Sequence, residues 1–253
     1  FDSKKPLNSF DFRGEVAIVT GGAQGIGYAI SRTLSELGAD VIIADRDADA
    51  VTLASEKTGN RAQGFFCDVT DVQQVEELIN TTWRRFGHID MVVNNAGTAI
   101  RDSSVNLSLE DWQKVVDVNM TAVFSVARTA VRRHLGRDNK NIVLRIVNMA
   151  SVMGLSGGGI YPNPSYQATK GAVVNMTRAM AVEWGPDQVR VNALAPTWVR
   201  TELMASLLAD PKIVKRMEAS MPLGCLAEPD DVAGAAMFLL SPAASMITGH
   251  TLA

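Results

Sequence analysis

The sequence predicts an α/β fold in which a central parallel sheet is doubly wound, with helices on both faces. Three observations support this prediction. Short apolar runs with strand character alternate along the chain with segments of helical periodicity. A glycine-rich turn joins the first run to the first helical segment, and an acidic residue ends the second run. Two parallel strands that bracket a helix form a right-handed βαβ unit, and repetition of this unit builds a parallel sheet.

Six apolar runs are predicted to be buried strands, each followed by a turn. They cover residues 16–20, 41–45, 65–69, 91–97, 144–151 and 189–196. Periodicity, capping-box spacing and glycine or proline stops predict helices between and after these runs. The helices cover residues 28–38, from the capping pair Thr70 and Gln73 to Phe86, from the capping pair Ser108 and Asp111 to Leu135, and residues 165–184, 201–220 and 229–240.

Length and composition limit the possible classes of protein. We expect residues 1–14 to form an N-terminal arm and residues 15–253 to form a single domain. The 24 basic and 27 acidic residues include no basic run, so we expect no nucleic-acid partner. No apolar stretch reaches the roughly 18 residues of a membrane helix, so no membrane partner is expected. Cys67 and Cys225 match neither a disulfide framework nor a metal-ligand spacing, which favours a cytoplasmic location.

The glycine-rich turn has the spacing of a dinucleotide site. Gly21, Gly25 and Gly27 lie between the first strand and its helix. Small residues there allow a tight turn, backbone approach to a pyrophosphate and close helix packing, while the helix N-terminus attracts negative charge. Asp45, at the end of the second strand, stands where an acid accepts hydrogen bonds from ribose hydroxyls. We therefore expect the single domain to be a dinucleotide-binding catalytic domain.

The residues around the acid favour NAD over NADP. The Asp45 carboxylate would repel a 2′-phosphate, and Gln24 is neutral where a phosphate site would gain from a basic residue. Arg46 argues the other way, because an arginine beside this position is able to receive that phosphate. NADP therefore stays open as the less favoured cofactor.

Tyr166 and Lys170 are the candidate chemical pair. Four residues apart, they lie one turn apart on the same face of a helix. An ammonium about 4 Å from a phenolate is worth about 4 kcal/mol at an effective dielectric near 20, or roughly three pKa units. The tyrosine would then act as a base near neutral pH. The spacing alone also fits a solvated tyrosine beside a solvated lysine.

Three motifs together resemble those of the short-chain dehydrogenase/reductase family. The pattern T-G-x-x-x-G-x-G is found at residues 20–27, N-N-A-G at residues 94–97, and Y-x-x-x-K at residues 166–170. They occur in the family's order, and the resemblance covers nearly the whole chain. It implies a Rossmann-like fold, oxidation or reduction with a nicotinamide cofactor, and a homotetramer or dimer.

The resemblance also assigns further residues. It implies that Asn119 and Ser151 belong to the active site with Tyr166 and Lys170. It implies a set of cofactor-binding residues that comprises Gly21, Gln24, Gly25, Ile26, Gly27, Asp45, Arg46, Asp68, Val69, Asn95, Ala96, Gly97, Tyr166, Lys170, Pro196, Val199 and Thr201.

The expected chemistry is proton and hydride transfer at a secondary alcohol or its ketone. Tyr166 as phenolate takes the hydroxyl proton, and Ser151 holds the substrate oxygen. Lys170 lowers the pKa of the phenol and holds the nicotinamide ribose, while Asn119 anchors a water that passes the proton onward. No metal is needed. Ser156 is the alternative serine if the loop after Ser151 follows a different path.

Fourteen residues separate Ser151 from Tyr166, more than in many members of the family. Their polar and glycine-rich composition favours a small polyol or sugar-like substrate. A 3-oxoacyl carrier-protein reductase is the enzymatic alternative, although Asp45 and Gln24 argue against the NADPH that it would be expected to prefer. A catalytically silent binding subunit is the alternative from another class, and retention of all four candidate catalytic residues argues against it.

Other residue types are interpreted as structural or left open. The three histidines, His88, His134 and His250, match no catalytic pattern and are predicted to be surface or loop residues. Methionines in the segment 201–220 fit either a core or a lid over the substrate. The methionines considered are Met204, Met217 and Met221. Trp198 either lines the pocket or covers it.

Overall fold

The predicted α/β fold is confirmed by a computed structural model that describes residues 10–137 and 142–253. Its described residues form one seven-stranded parallel sheet with the order β3-β2-β1-β4-β5-β6-β7. The first nine residues of the predicted arm lie outside the described residues. The strands are β1 (Val16–Thr20), β2 (Asp40–Asp45), β3 (Ala62–Phe66), β4 (Met91–Asn94), β5 (Leu144–Met149), β6 (Val189–Leu194) and β7 (Thr251–Leu252).

Helices cover both faces of this sheet. The α-helices of the described residues are α1 (Gly25–Glu36), α2 (Ala48–Thr58), α3 (Val72–Phe86), α4 (Leu109–Val116), α5 (Ala122–Leu135), α6 (Pro164–Trp184), α7 (Ala205–Leu208), α8 (Pro211–Ala219) and α9 (Pro229–Leu240). One core layer joins α1, α2 and α9 to the sheet, with Ile30 and Met237 at its centre. The other joins α3, α5 and α6 to the opposite face, with Leu78 and Val126. Alternate residues of β1 enter opposite layers, because strand side chains alternate between faces.

The predicted strand at residues 65–69 is displaced in the structure. β3 begins at Ala62 and ends at Phe66, and it pairs only with β2 at the edge of the sheet. An edge strand is covered less completely than a central one, so β3 lacks the continuous apolar run that marks buried strands. The strands predicted at 91–97, 144–151 and 189–196 end two or three residues early, and the remaining residues lie in the loops that follow the strands.

Two predicted long helices are interrupted. The helix predicted from Ser108 to Leu135 contains a π-helical turn, Asp117–Thr121, in which Ala122 N–H bonds to the Asp117 carbonyl. The helix predicted over 201–220 is a 3₁₀ turn followed by α7 and α8. It breaks at Asp210, whose side chain caps α8 before Pro211. Proline restricts the preceding residue and cannot continue the hydrogen-bond ladder, which explains this break.

Further differences concern a cap, two missed elements and one histidine. Asp71 caps α3 in place of Thr70, since its carboxylate accepts from two first-turn N–H groups. Helix α2 and strand β7 were not predicted, because α2 has only two buried residues and β7 only two residues in all. His134 is buried, contrary to the surface prediction, because α5 is packed on most of its faces. Cys67 and Cys225 are both free.

No helix among residues 10–137 and 142–253 is long and apolar enough to cross a membrane.

Candidate active site

A long cleft lies at the carboxyl edge of the parallel sheet. The strand order reverses between β1 and β4, and crevices for ligands open at such a point in doubly wound sheets. The cleft has a volume of about 410 Å³ and runs from the end of β2 to α6. Its lining includes Gly21, Gln24, Gly25, Ile26, Asp45, Arg46, Asp68, Val69, Asn95, Ala96, Gly97, Tyr166, Lys170 and Thr201.

The glycine turn and the loop after β4 hold each other at the base of the cleft. Asn95 donates from its amide to the carbonyls of Thr20 and Gly21, at 3.1 and 2.8 Å. The Thr20 hydroxyl in turn accepts from the N–H groups of Asn95 and Ala96. Gly21 has φ +57°, and a Cβ there would stand 2.8 Å from the Ala96 Cα. Glycine is therefore required where the first and second sequence motifs meet.

The beginning of α1 fits the pyrophosphate of a dinucleotide. Gln24, the N-cap residue, makes no side-chain capping bond, and the first turn of the helix contains no acid. The positive end of the helix dipole therefore faces the cleft without a compensating charge on its own helix. The structure already places an anionic group there, because Glu202 Oε2 is 3.3 Å from the point where a Cβ of Gly25 would stand.

The other end of the cleft is acidic and fits the adenosine ribose. Asp45 accepts weak hydrogen bonds from the N–H groups of Ala23, at 3.4 Å, and Asp47, at 3.3 Å. Asp47 and Asp68 line the same end of the cleft. Arg46 also lines it and is exposed. The residues at the beginning of α1 and at the Asp45 end of the cleft thus fit the pyrophosphate and the adenosine ribose of a dinucleotide.

Three residues predicted to bind the cofactor do not line the cleft. Gly27 lies beneath the glycine turn, where a Cβ would collide with the Gly21 carbonyl, so its role is close packing of α1. Pro196 lies two residues after β6, and its carbonyl accepts from Val152 N–H at 3.1 Å. Val199 is buried and lines the neighbouring cavity.

Helix α6 presents Tyr166 and Lys170 to the cleft. Pro164 occupies the first turn of the helix, where its missing N–H costs no hydrogen bond. Lys170 is 3% exposed, and its Nζ donates to the Met149 carbonyl at the end of β5 over 2.6 Å. The same Nζ lies 5.5 Å from the centre of the Tyr166 ring. The predicted one-turn spacing therefore brings the two side chains together.

Ser151 reaches Tyr166 from the sheet. It follows β5 and begins a 3₁₀ turn, Val152–Gly154, in which the Ser151 hydroxyl accepts from Met153 N–H at 3.2 Å. Ser151 is buried and lies beside Tyr166, and hydrogen bonding to its hydroxyl is one of the effects on the pKa of the Tyr166 phenol. Ser156, the alternative serine, is exposed and lines neither cavity.

The protein environment raises the pKa of Tyr166. Burial of the phenol is the largest cause, and Tyr161 adds to it, whereas the Ser151 hydrogen bond and the Arg101 charge act in the opposite direction. This direction is opposite to the lowering predicted from the Tyr166 and Lys170 spacing. Burial also lowers the pKa of Lys170, to about 8. The ammonium lies against the tyrosine ring and the Met149 carbonyl, and desolvation outweighs the short spacing.

Asn119 supports the site from the π-helical turn. It is fully buried, its side-chain oxygen accepts from Thr98 N–H at 2.8 Å, and its amide donates to the Thr98 carbonyl at 2.9 Å. The amide also reaches the Thr169 hydroxyl on α6, at 3.3 Å. Asn119 lines neither cavity, so its side chain holds the loop after β4 against α6.

A second, smaller cavity of about 80 Å³ adjoins the cleft, and Tyr166 stands in the wall that the two share. The long loop after Ser151 contributes Tyr161 and Asn163 to the smaller cavity. Trp198 lines it as well, with its ring centre 6.0 Å from that of Tyr161. We refer to this space as the Tyr161 cavity.

Comparisons with known proteins decide the family. A family model described as "Enoyl-(Acyl carrier protein) reductase" matches residues 21–253. A cis-4-hydroxycyclohexanecarboxylate dehydrogenase from Sinomonas cyclohexanicum is 39% identical, with 96% of this chain and 95% of the relative covered. A D-threitol dehydrogenase from Mycolicibacterium smegmatis is 38% identical (96% and 93% covered), and a 3alpha-hydroxysteroid dehydrogenase from Mediterraneibacter gnavus is 36% identical (95% and 95%).

The chain belongs to the short-chain dehydrogenase/reductase family. Its fold agrees with that of solved members. A short-chain type dehydrogenase/reductase from Mycobacterium marinum has a TM-score of 0.92 at 33% identity, covering 97% of this chain and 96% of that chain. Two other similar structures contain cofactors. A putative gluconate 5-dehydrogenase from Beutenbergia cavernae, solved with NADP, has a TM-score of 0.89 at 34% identity, covering 96% of each chain. A 3-ketoacyl-(acyl-carrier-protein) reductase from Brucella melitensis, solved with NADH, has a TM-score of 0.88 at 33% identity, covering 95% of this chain and 96% of that chain.

This dehydrogenase contains site residues beyond those that the sequence motifs predict. Met149 receives the Lys170 hydrogen bond through its carbonyl, which no sequence pattern indicates. Arg101 lines the Tyr161 cavity, and its place shortly after the N-N-A-G motif, at the carboxyl edge of the sheet, is a signal that could have found it. The same edge position applies to Thr98, which lines the cleft.

The methionine-bearing segment covers this region as part of a small core. Met204 and Met217 are buried and pack with Leu226, and Met204 also lines the Tyr161 cavity. Met221 is only partly exposed and lies with its sulfur 3.2 Å from the Thr197 hydroxyl. The core interpretation therefore holds for two of the three methionines in the described structure.

Proposed function

We propose that this dehydrogenase uses NAD(H) to interconvert a secondary alcohol and its ketone, with Tyr166 as the acid and base. One observation carries the proposal: Tyr166 stands in the wall between the dinucleotide cleft and the Tyr161 cavity, with Ser151 on the wall of the same cavity and Lys170 Nζ 5.5 Å from its ring centre. A substrate in the smaller cavity is therefore adjacent both to the phenol and to a cofactor in the cleft.

The chain's own residues manage the proton and the substrate oxygen. In oxidation the Tyr166 phenolate takes the hydroxyl proton, and the Ser151 hydroxyl donates to the oxygen as it becomes a carbonyl. A bound nicotinamide supplies the acceptor for the hydrogen and electron pair of the substrate C–H bond, so the alcohol is oxidised as the cofactor is reduced. In reduction the neutral Tyr166 returns its proton to the oxygen. Lys170 would hold the nicotinamide ribose, and Asn119 keeps the loop after β4 in place.

The acidic end of the cleft supports NAD as the preferred cofactor. Asp45, Asp47 and Asp68 line the end of the cleft that would take the adenosine ribose, so a 2′-phosphate bound there would lie near three carboxylates and one cation, Arg46. Because solved relatives carry either NADP or NADH, the proposed preference for NAD rests on the charges at this end of the cleft.

A small polyol or sugar-like molecule is the proposed substrate. The Tyr161 cavity has a volume of about 80 Å³, and Asn163 and Tyr161 add polar groups to it. One relative is named a D-threitol dehydrogenase and another a gluconate 5-dehydrogenase. Asp45 and Gln24 argue against the alternative 3-oxoacyl carrier-protein reductase, which would be expected to prefer NADPH.

A substrate and cofactor panel tests the reaction class. Polyols, hydroxysteroids and 3-oxoacyl thioesters are assayed with NAD(H) and NADP(H), following the absorbance of the reduced nicotinamide. We expect turnover of polyols with a higher kcat/KM for NAD than for NADP. Preference for NADP would contradict the role given to Asp45, and turnover of thioesters alone would establish the alternative.

The role of Tyr166 is tested with Tyr166→Phe. Loss of the general acid and base is expected to lower kcat by about 100- to 10,000-fold, while NADH affinity, measured by fluorescence titration, changes little. Tyr28→Phe is the matched control, because Tyr28 packs against the core outside both cavities. A fully active Tyr166→Phe enzyme would exclude Tyr166 as the base.

We further propose a homotetramer or dimer in which residues 15–253 act as one catalytic domain in the cytoplasm. Exposed apolar side chains on α5 and α6 support the assembly; they are Phe124, Leu135 and Val182. The two free cysteines support a reducing location. Sedimentation equilibrium measures the assembly, and a monomer at all concentrations would refute it.

A further inference from the structure

Arg101 is a cation inside the Tyr161 cavity. Of the described residues that line this cavity, it alone carries a charge, and the lining includes no carboxylate. It forms no salt bridge within the described part of the chain. A guanidinium in a small cavity without a counter-ion is suited to bind an anion, which would supply the missing negative charge.

The hydrogen bonds of Arg101 leave much of its guanidinium available. Nη2 donates to the Leu203 carbonyl at 2.9 Å and lies 3.8 Å from the Met204 sulfur. Nε is buried and has no hydrogen-bond partner. The guanidinium carbon also lies over the Tyr161 ring, 5.3 Å from its centre. An unpaired buried N–H is costly, and a bound acceptor would relieve that cost.

The position of Arg101 relative to Tyr166 sets the shape of the ligand. The two residues line the same cavity, and the Arg101 charge acts on the pKa of the Tyr166 phenol. A molecule whose hydroxyl is held by Ser151 and Tyr166 thus meets Arg101 elsewhere on the cavity wall. Apolar side chains form the wall between polar groups; these are Val152, Met153, Trp198, Val199, Leu203 and Met204.

We propose that the substrate of this dehydrogenase is a small hydroxycarboxylate whose carboxylate pairs with Arg101 while its secondary hydroxyl is held at Tyr166. The planar fork of arginine matches the two oxygens of a carboxylate. Asn163, whose side-chain oxygen is buried and unpaired, offers an acceptor to a further substrate hydroxyl. This inference rests on the proposed function for the hydroxyl end of the substrate, and on Arg101 alone for the acidic end.

Matched acid and neutral substrates test the inference by kinetics. The pairs are 4-hydroxycyclohexanecarboxylate with its carboxamide, and gluconate with glucitol, each oxidised with NAD. The wild-type chain is expected to favour the acid in at least one pair, and Arg101→Met to lower the ratio of kcat/KM for acid over neutral partner by about 10- to 100-fold, the range of a charge-assisted hydrogen bond. The substitution can also change the Tyr166 pKa, but that change affects the acid and its neutral partner alike and therefore leaves the ratio unchanged.

The controls separate charge recognition from a structural role. Arg132→Met removes an exposed positive charge on α5 and should leave the ratio as in the wild type. Arg101→Lys keeps the charge without the planar fork and should give an intermediate ratio. If Arg101→Met slows both partners equally, Arg101 only holds the Leu203 segment and the inference is wrong. Turnover of neutral alcohols without preference for either acid overturns it as well.

A binding measurement tests Arg101 independently of any reaction. Isothermal titration calorimetry compares cyclohexanecarboxylate with cyclohexanecarboxamide on the wild-type chain. Tighter binding of the carboxylate that is lost in Arg101→Met supports the inference, even if no alcohol in the panel is oxidised and the proposed function fails. Equal binding of the two compounds to the wild type refutes the inference and leaves the proposed function untouched.

Discussion

Burial acts in the same sense on both titratable groups of the site, because it disfavours the charged form of each. It raises the pKa of the Tyr166 phenol and lowers that of the Lys170 ammonium. The chain therefore holds a neutral phenol beside an ammonium that titrates close to neutral pH. At the scale of single residues, the Ser151 hydrogen bond and the Arg101 charge are the groups that favour the phenolate.

The buried ammonium predicts a pH-dependent stability. Lys170 has a pKa of about 8 in the folded chain against 10.5 as its ordinary value. Below about 8 both states hold the proton, and the burial cost is fully present. As pH rises from there towards the unfolded value, the folded state releases its proton first, so the free energy of unfolding increases, by at most about 3 kcal/mol.

Urea unfolding of the wild type and Lys170→Met at pH values from about 7 to 10 measures this effect. We expect the stability of the wild type relative to the variant to rise across this range. Lys212→Met, at an exposed position, should show no such trend relative to the wild type. A difference between wild type and Lys170→Met that does not vary with pH would contradict the assigned burial cost.

Among the elements, the contact between α6 and the turn after β5 sets the distance between Ser151 and Tyr166. Gly154 ends this 3₁₀ turn, and a Cβ there would stand 2.5 Å from the Lys170 carbonyl carbon and 2.6 Å from its oxygen. The turn and the helix thus touch backbone to backbone. The same approach keeps Lys170 Nζ within reach of the Met149 carbonyl.

Gly154→Ala is expected to separate these two elements. Overpacking of this kind costs about 1–3 kcal/mol, and we expect a loss of kcat larger than the loss of NADH affinity, because Ser151 moves relative to Tyr166. Gly157→Ala is the matched control in the same loop, since a Cβ at Gly157 meets nothing within 4 Å. Thermal unfolding and steady-state kinetics measure both variants. Equal behaviour of the two would show that the contact does not position the site.

Across the whole molecule, the active-site cleft and a stabilising charge cluster lie at opposite ends of the sheet. The cleft lies at the carboxyl ends of the strands, whereas the amino ends contain a buried charge cluster. There Arg145 Nη2 pairs with Glu15 over 3.0 Å, and its other nitrogens donate to the carbonyls of Leu240 and Asp90. The cluster connects β1, β5 and α9 on the side of the sheet remote from Tyr166.

Arg145→Met should therefore lower the free energy of unfolding without changing kcat. Removing one partner of a buried ion pair leaves an uncompensated charge and costs about 3–5 kcal/mol, which chemical denaturation measures. We expect the kcat of the folded enzyme to stay close to that of the wild type. Arg84→Met, in an exposed pair with Glu77, is the control and should change stability little. A large fall in kcat for folded Arg145→Met would refute this separation.

Local sequence was enough to predict the doubly wound fold and most of the cleft. The glycine turn, Asp45 and the spacing of Tyr166 and Lys170 depend on residues close together in the chain or on strand ends that a parallel sheet brings to one edge. Helix interruptions at Asp117–Thr121 and Asp210 were missed, because periodicity continues through them. The edge strand β3 was misplaced, since partial exposure removes the apolar run by which a buried strand is recognised.

The sequence by itself determined the fold class and the residues that meet at the carboxyl edge of the sheet, because periodicity and motif spacing are local properties. Only the tertiary structure decided the direction of the Tyr166 pKa shift, the Met149 carbonyl as the partner of Lys170, and the place of Arg101 in the Tyr161 cavity. Each of these depends on burial or on contacts between distant segments. Desolvation and long-range packing are set by the whole fold and leave no local pattern in the chain.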